Sequence, residues 1–379
     1  MTQPEDHPEP PGRILMTTDS IGGVWSYSVE LCRELGKHGV EVILATMGAP
    51  LRQGQRIEAA GVENVQLIEG RHRLEWMEAA ERDIEAAGTW LELLEAQFAP
   101  EVIHLNGFAH ASLPWSAPVI VVAHSDVLTW WEAVHGARAP ASWDAYAQRV
   151  RQGLHSADIV VFPTQAMLDA LQRVYGRLPS TRAIHNGRDT RRFAPREKEG
   201  FILSAGRLWD QAKNARALAD IAPDLGWPVR MAGETVAPHG ERAELRNVEL
   251  LGTKAPGEMA DLFARASIYA LPARYEPFGL TALEAGLSGC ALVLGDIPTL
   301  REIWDDAAEF VPPDDTAALR QTISRLITDP ERRADFAGRA LRRSAQFTAG
   351  RMALAYLAAY ADAGRVPRFS ESESASSNA

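Results

Sequence analysis

Cysteine is nearly missing from this chain. Cys32 and Cys290 are the two present, and both lie in apolar stretches. Two such positions make no disulfide framework and agree with a reducing compartment. Positive charge is also short: 39 Lys and Arg against 50 Asp and Glu leave a formal charge of −11. That argues against a nucleic-acid binder, which needs a basic footprint. It also argues against strong attachment to an anionic membrane, while a local basic patch leaves a peripheral contact open. No apolar run reaches the length of a bilayer span. The first residues, Met1 to Pro11, are acidic and proline-rich. They carry no basic n-region and no apolar h-region, so no secretory leader is expected there. The expected location is cytoplasmic, with the inner face of the membrane left open. There is no Asp-x-Asp motif and no His/Cys cluster with ligand spacing, so no metal site and no bound cofactor are expected.

What is present is an ordinary globular composition, 46% hydrophobic and 23% charged over 379 residues, long enough for two domains. Short apolar runs at 13–18, 40–46, 65–68, 101–105, 118–123, 158–162 and 181–184 read as strands. Helical patterns at 24–37, 74–97, 143–155 and 165–175 lie between them. Such alternation indicates a parallel sheet covered on both faces. A stretch rich in Arg, Asp and Glu interrupts the rhythm, which restarts at 201–205 and runs to an amphipathic helix at 349–362. The expected fold is therefore α/β: two doubly wound, Rossmann-like domains facing a cleft. Its parts would be a disordered start over 1–12, an N-terminal domain over 13–186 and a linker over 187–200. A C-terminal domain over 201–345, a last helix over 346–363 and a disordered tail over 364–379 complete the division. Ligands of such sheets bind beyond the carboxyl ends of the strands.

Several residues fall at those ends. The apolar run at 267–272 leads into Tyr275-Glu276-Pro277-Phe278-Gly279-Leu280, where Pro277 is expected to open a helix. Free N–H groups near Phe278, Gly279 and Leu280 would then face an anion. Glu284 follows in an almost wholly apolar helix, where a carboxylate needs a hydrogen-bonding partner. Gly206-Arg207-Leu208 ends the first strand of the second half, and Lys213 lies six residues after Arg207. Two converging cations would suit a diphosphate. In the first half, Gly22-Gly23 forms a βα turn. It lacks the full G-x-G-x-x-G pattern, so it is a weak nicotinamide signal. His124 ends another buried strand. His104, Asn106 and His110 lie near a third strand end, suited equally to the cleft and to structure. Trp115, Trp130, Trp131 and Trp143 read mainly as anchors, though aromatic faces also bind sugars.

Arg207, Lys213, Glu276 and Glu284 together resemble the donor site of retaining GT-B glycosyltransferases, in particular family 4. Glu276 to Glu284 matches its Glu-x7-Glu motif, and Gly206-Arg207-Leu208 its Gly-Arg-Leu turn. His185-Asn186-Gly187-Arg188-Asp189 resembles its Pro-Asn-Gly-Ile-Asp hinge, departing at His185 and Arg188. Asn214 stands where Gly is common. Thr18 to Val24 resembles the family's glycine loop, and His124-Ser125-Asp126 its His-Asp loop with a Ser inserted. The 347–360 segment resembles the helix that returns to the first domain.

The resemblance implies a retaining, metal-independent transfer from a nucleotide-diphosphate sugar to an acceptor hydroxyl, with polysaccharide or glycoconjugate synthesis as its setting. Arg207 and Lys213 would hold the diphosphate, Glu276 the sugar and Glu284 the ribose. Phe278, Gly279, Leu280 and Gly206 would line the donor site. Gly22 and Gly23 would approach from the other domain, and His124 would sit near the sugar. The acceptor could be a carbohydrate, a lipid-linked molecule or a small molecule. A nucleotide-sugar epimerase of the same fold, or a catalytically silent nucleotide-sugar binder, are the alternatives.

Overall fold

The computed structural model describes residues 9–77, 79–238 and 240–365. The expected disorder of the chain's start up to residue 8, and of the tail from residue 366, concerns residues outside those described.

The first domain begins with β1 (Arg13–Asp19), α1 (Gly23–Gly36), β2 (Glu41–Met47), α2 (Gln53–Ala60) and β3 (Val65–Glu69). It continues through α3 (Glu81–Phe98), β4 (Val102–Leu105), β5 (Val119–Val122), α4 (Val127–His135) and α5 (Asp144–Ser156). β6 (Ile159–Phe162), α6 (Gln165–Tyr175) and β7 (Thr181–Ala183) complete it. Among the described residues these strands form a parallel seven-stranded sheet in the order β3-β2-β1-β4-β5-β6-β7. Successive side chains of a strand point to opposite faces. Ile14 and Met16 accordingly pack into the core that holds α1, while Leu15 packs into the one that holds α3 and α5.

The second domain opens with β8 (Glu199–Ala205), α7 (Ala215–Ile221), β9 (Val229–Ala232), β10 (Glu249–Gly252) and α8 (Pro256–Arg265). β11 (Ala266–Leu271), α9 (Leu280–Leu287), β12 (Ala291–Gly295), α10 (Pro298–Trp304) and β13 (Glu309–Val311) follow. Among the described residues its six strands are parallel in the order β10-β9-β8-β11-β12-β13. Every residue of β11 is buried, as a strand covered on both faces requires. α11 (Thr316–Thr328) and α12 (Pro330–Ser344) close this domain. The chain then returns: α13 (Ala349–Ala363) buries Met352, Tyr356 and Tyr360 in the first domain's core beside Trp25 and Tyr27 of α1. Its entry is pinned to the hinge, where Ala349 N donates to Arg188 O at 3.1 Å.

Three expectations need correction. Pro277 does not open the helix: α9 begins at Leu280, with Gly279 at φ 90° and ψ 61°. The preceding segment is held away from the helix by other partners. Pro277 O accepts from Thr164 Oγ1 at 3.1 Å and Glu276 O from Thr299 Oγ1 at 2.6 Å. The chain then turns through a left-handed residue, which glycine adopts without a Cβ clash. The helix expected over 74–97 starts at Glu81 instead. Leu74 is drawn into a small cluster with Met47 and Ala87, and Glu75 turns to accept from the N–H groups of Phe108 and Ala109. Finally, α2, α4 and α10 form where no helix was expected. The start of α4 carried a signal: Asp126 accepts from Thr129 N at 2.8 Å, an N-cap ahead of an apolar run.

Candidate active site between the two domains

Both sheets reverse strand order at one point, between β1 and β4 in the first and between β8 and β11 in the second. Crevices open at the carboxyl ends of strands there. Arg207 leaves β8 at its switch point, and the segment containing Glu276 leaves β11. Gly22 and Gly23 follow β1, Asn106 follows β4 and His124 follows β5.

The walls meet. A Cβ placed on Gly22 would lie 3.7 Å from Arg207 Nη1, and one on Gly23 would lie 3.5 Å from Leu280 Cδ1. The domains are also tied by hydrogen bonds. Trp130 Nε1 donates to Asp210 Oδ1 at 3.0 Å, and Tyr275 OH accepts from Asp126 N at 3.1 Å. The Glu302 carboxylate caps α6 by accepting from Gln165 N and Ala166 N, at 2.9 and 2.8 Å, and it pairs with His185 at 3.1 Å. Burial pushes the Glu302 carboxyl up, but His185 and the two N–H groups outweigh it and hold its pKa below the usual value.

The second-domain wall consists of paired charges. Lys213 Nζ lies 2.7 Å from Glu276 Oε2, and both side chains are mostly buried. Arg207 Nη2 donates to Asp210 Oδ2 at 2.9 Å. Burial raises the Asp210 pKa, yet Arg207, Lys213 and the Trp130 bond together lower it below the ordinary value. Lys213 ends a short 3-10 turn, and Asn214 after it adopts φ 55°, ψ 34°. Asn tolerates this left-handed region, which accounts for its standing where glycine is common. Its amide is also anchored on Pro272 O and Pro313 O, at 2.9 and 2.7 Å. At the start of α9, Leu283 N is bonded back to Gly279 O at 3.0 Å. The N–H groups of Leu280, Thr281 and Ala282 therefore precede the helix ladder and form its positive end.

Glu284 does not wait for a ligand to supply its first partner. It is ion-paired with Arg188, whose guanidinium also reaches Glu30 Oε2 at 3.1 Å. Arg188 is buried between them, and the departure from the family hinge thus places a cation between α1 and α9.

On the first-domain wall the polar groups are mainly neutral. His124 is bonded to Asn106 Oδ1 at 2.8 Å and meets the Tyr27 ring edge-on at 4.5 Å. His104 is fully buried between Tyr360 OH, 2.8 Å away, and Asn106. His110 is a structural residue, with Nε2 3.1 Å from Ile84 O. Of the tryptophans, Trp115 is a core anchor whose Nε1 donates to His110 O at 2.8 Å, whereas Trp130 spans the cleft. Asp19 is a further carboxylate of this wall, at the end of β1. Its Oδ1 accepts from Ile21 N at 2.6 Å. Burial raises its pKa to about 7, with Arg207 across the cleft acting in the opposite sense. An Asp closing β1 just before a glycine pair was the available signal.

Two Rossmann-like domains, a cationic wall at one switch point and a glycine loop facing it define a GT-B glycosyltransferase. Residues 21–192 match the model described as Glycosyltransferase Family 4, and residues 187–343 match Glycosyl transferases group 1. The chain belongs to this glycosyltransferase family. It is 26% identical over 307 residues to the glycogen synthase of Mycobacterium tuberculosis, covering 73% of each chain. The sucrose-phosphate synthase of Thermosynechococcus elongatus superposes with a TM-score of 0.79 at 18% identity, covering 94% of this chain and 100% of that one. Anabaena HepE in complex with UDP and glucose gives 0.74 at 15% identity, covering 92% and 99%.

Proposed function

We propose that the protein transfers a sugar from a nucleotide-diphosphate donor to an acceptor hydroxyl, with retention at the anomeric carbon and without a metal ion or bound cofactor. The observation that carries this reading is the meeting of Arg207, Lys213 and the N-terminal end of α9 at one switch point, opposite Gly22 and Gly23. Leaving-group charge developing on a diphosphate is stabilised by donors fixed in advance. Two cations and helix N–H groups supply those donors here. Glu276 holds hydroxyls of the transferred sugar, and Glu284 holds the ribose through the carboxylate capacity that Arg188 does not use. The acceptor hydroxyl attacks on the face from which the diphosphate departs. A phosphate oxygen takes its proton as the new C–O bond forms and the old one breaks. No side chain is assigned as a covalent nucleophile.

The test is a panel of nucleotide sugars scored by thermal stabilisation, since a specific ligand raises apparent stability by mass action. A stabilising donor is then turned over with candidate acceptors in the presence of a chelator. Product of the donor's anomeric configuration, formed at an unchanged rate with chelator, is expected. An inverted product, or a rate abolished by the chelator and restored by a divalent cation, overturns the mechanism. An epimer formed without any acceptor overturns the activity.

A further inference from the structure

We propose that Asn106 is a positioning residue that fixes His124 as its Nε2–H tautomer, so that the Nδ1 lone pair accepts a hydrogen bond from a sugar hydroxyl in the cleft. This rests on the proposed transfer for the identity of the hydroxyl, but not for the tautomer.

The argument starts from the amide. Asn106 Nδ2 lies 2.7 Å from Thr17 O, a backbone carbonyl that can only accept. Its other hydrogen points to Ser28 Oγ at 3.2 Å. Asn106 N in turn donates to Thr17 Oγ1 at 2.9 Å, locking the backbone on the same residue. The orientation of the amide is therefore settled, and Oδ1 faces the two imidazoles. A carboxamide oxygen has no hydrogen to give. His124 Nε2, 2.8 Å away, must carry the proton, and Nδ1 is left as an acceptor. His104 fits the same logic: Nε2 faces Asn106 Oδ1 at 3.3 Å and Tyr27 OH at 3.4 Å, both able to accept its proton, and Tyr360 O–H donates to Nδ1 at 2.8 Å. Asn106 Oδ1 thus faces both imidazole N–H groups, and the returning helix α13 orients one of the rings.

The titratable groups packed on His124 are His104 from β4 and Tyr27 from α1, with Tyr356 and Tyr360 of α13 behind them. Asp126, two residues on, turns Oδ1 to Tyr175 at 2.6 Å and Oδ2 to Thr129 N at 2.8 Å. Burial and then the neighbouring His104 lower the His124 pKa to about 3. A neutral acceptor favours a hydroxyl donor and disfavours a carboxylate or phosphate at this point of the cleft.

The experiment is imidazole nitrogen NMR on the full chain, with the His124 signals assigned by their loss in His124→Gln. The wild type is expected to show a neutral Nε2–H ring through pH 5. In Asn106→Asp a carboxylate faces Nε2. The ring then charges about 1–3 pH units higher, the shift an adjacent opposite charge produces. The acid limb of kcat moves upward with it. A wild-type Nδ1–H tautomer or an imidazolium at pH 6 overturns the proposal, as does an Asn106→Asp spectrum identical to the wild type. The wild-type spectrum keeps the test valid if that variant folds poorly. A chain with the expected tautomer but no sugar transfer would refute the proposed function alone.

Discussion

The two walls of the cleft are built from different chemistry. The second domain presents ions already paired with one another: Lys213 with Glu276, Arg207 with Asp210. The first presents a neutral network of His124, Asn106, Thr17 and Ser28. A charged wall matches a charged leaving group, and pairing keeps its cations placed before the ligand arrives. A neutral wall suits hydroxyl-bearing molecules, and there direction rather than charge discriminates. Asp19 departs from this, and its raised pKa marks what a carboxylate costs on that side.

The sharpest way to break this contrast is at the residue between the walls. Arg188→Leu leaves Glu30 and Glu284 buried without their shared cation. Removing one partner of a buried ion pair costs about 3–5 kcal/mol. Glu30 keeps Arg192 at 3.5 Å and Arg33 at 3.9 Å, so the loss should fall mainly on Glu284. Denaturant unfolding should show a loss of that order, whereas an unchanged midpoint would mean that Glu284 is solvated and that Arg192 and Arg33 suffice for Glu30. Next in size are Arg207→Ala and Lys213→Ala, each expected to lower kcat by about 10²–10³-fold, as loss of a preorganised transition-state donor does. His124→Ala should cost less. If steady-state rates showed His124→Ala to be the most damaging of the three, the division of labour between the walls would be wrong.

Asp19 offers a smaller effect and a defined sign. Its folded pKa, about 7, lies above its ordinary value of 3.8. The native state therefore binds the proton more tightly than the unfolded chain does between those values. Stability from this group is fully present below about pH 4 and is lost as pH rises through about 7. Asp19→Asn has no such loss. Its stability relative to the wild type should climb over that window by on the order of 2 kcal/mol, after discounting for solvent reaching the cleft. Parallel melting curves for the two proteins from pH 4 to pH 8 would remove the carboxyl from the account.

How much of this could be read from the chain depended on sequence distance. The strand-helix rhythm, the turn at Gly206-Arg207-Leu208 and the Glu276-to-Glu284 spacing are local patterns, each carried by one element and its exit loop. The partner of Glu284 is not local. Arg188 was visible as a departure from the hinge motif, but nothing in the linear order says that Glu30, 158 residues earlier, completes its setting. Asn106 was visible only as a polar residue at a strand end. Its role depends on Thr17, Ser28 and His124, which come from β1, α1 and the loop after β5. The start of α9 was misplaced for the same reason, because Thr164 and Thr299 hold the segment that Pro277 was expected to turn into helix.

The smallest expected effect tests whether the walls act as one site. Tyr275 begins the donor-side segment, yet its hydroxyl lies 3.1 Å from both Asp126 N and Thr129 Oγ1 on the opposite domain. Tyr275→Phe keeps the ring and removes these bonds. A typical hydrogen bond contributes about 1 kcal/mol net, so closure should weaken by roughly fivefold. The buried Asp126 N–H would lose a partner, but Asp126 itself keeps Tyr175 and Thr129 N. The loss should appear in KM for the acceptor rather than in kcat. Under the proposed transfer, closure assembles the first-domain wall against the donor and leaves the contacts proposed for Arg207 and Lys213 with the leaving group untouched. A fall in kcat with KM unchanged would instead place Tyr275 on the path of the reacting sugar, and the boundary between a charged donor wall and a neutral acceptor wall would have to be redrawn through β11's exit loop.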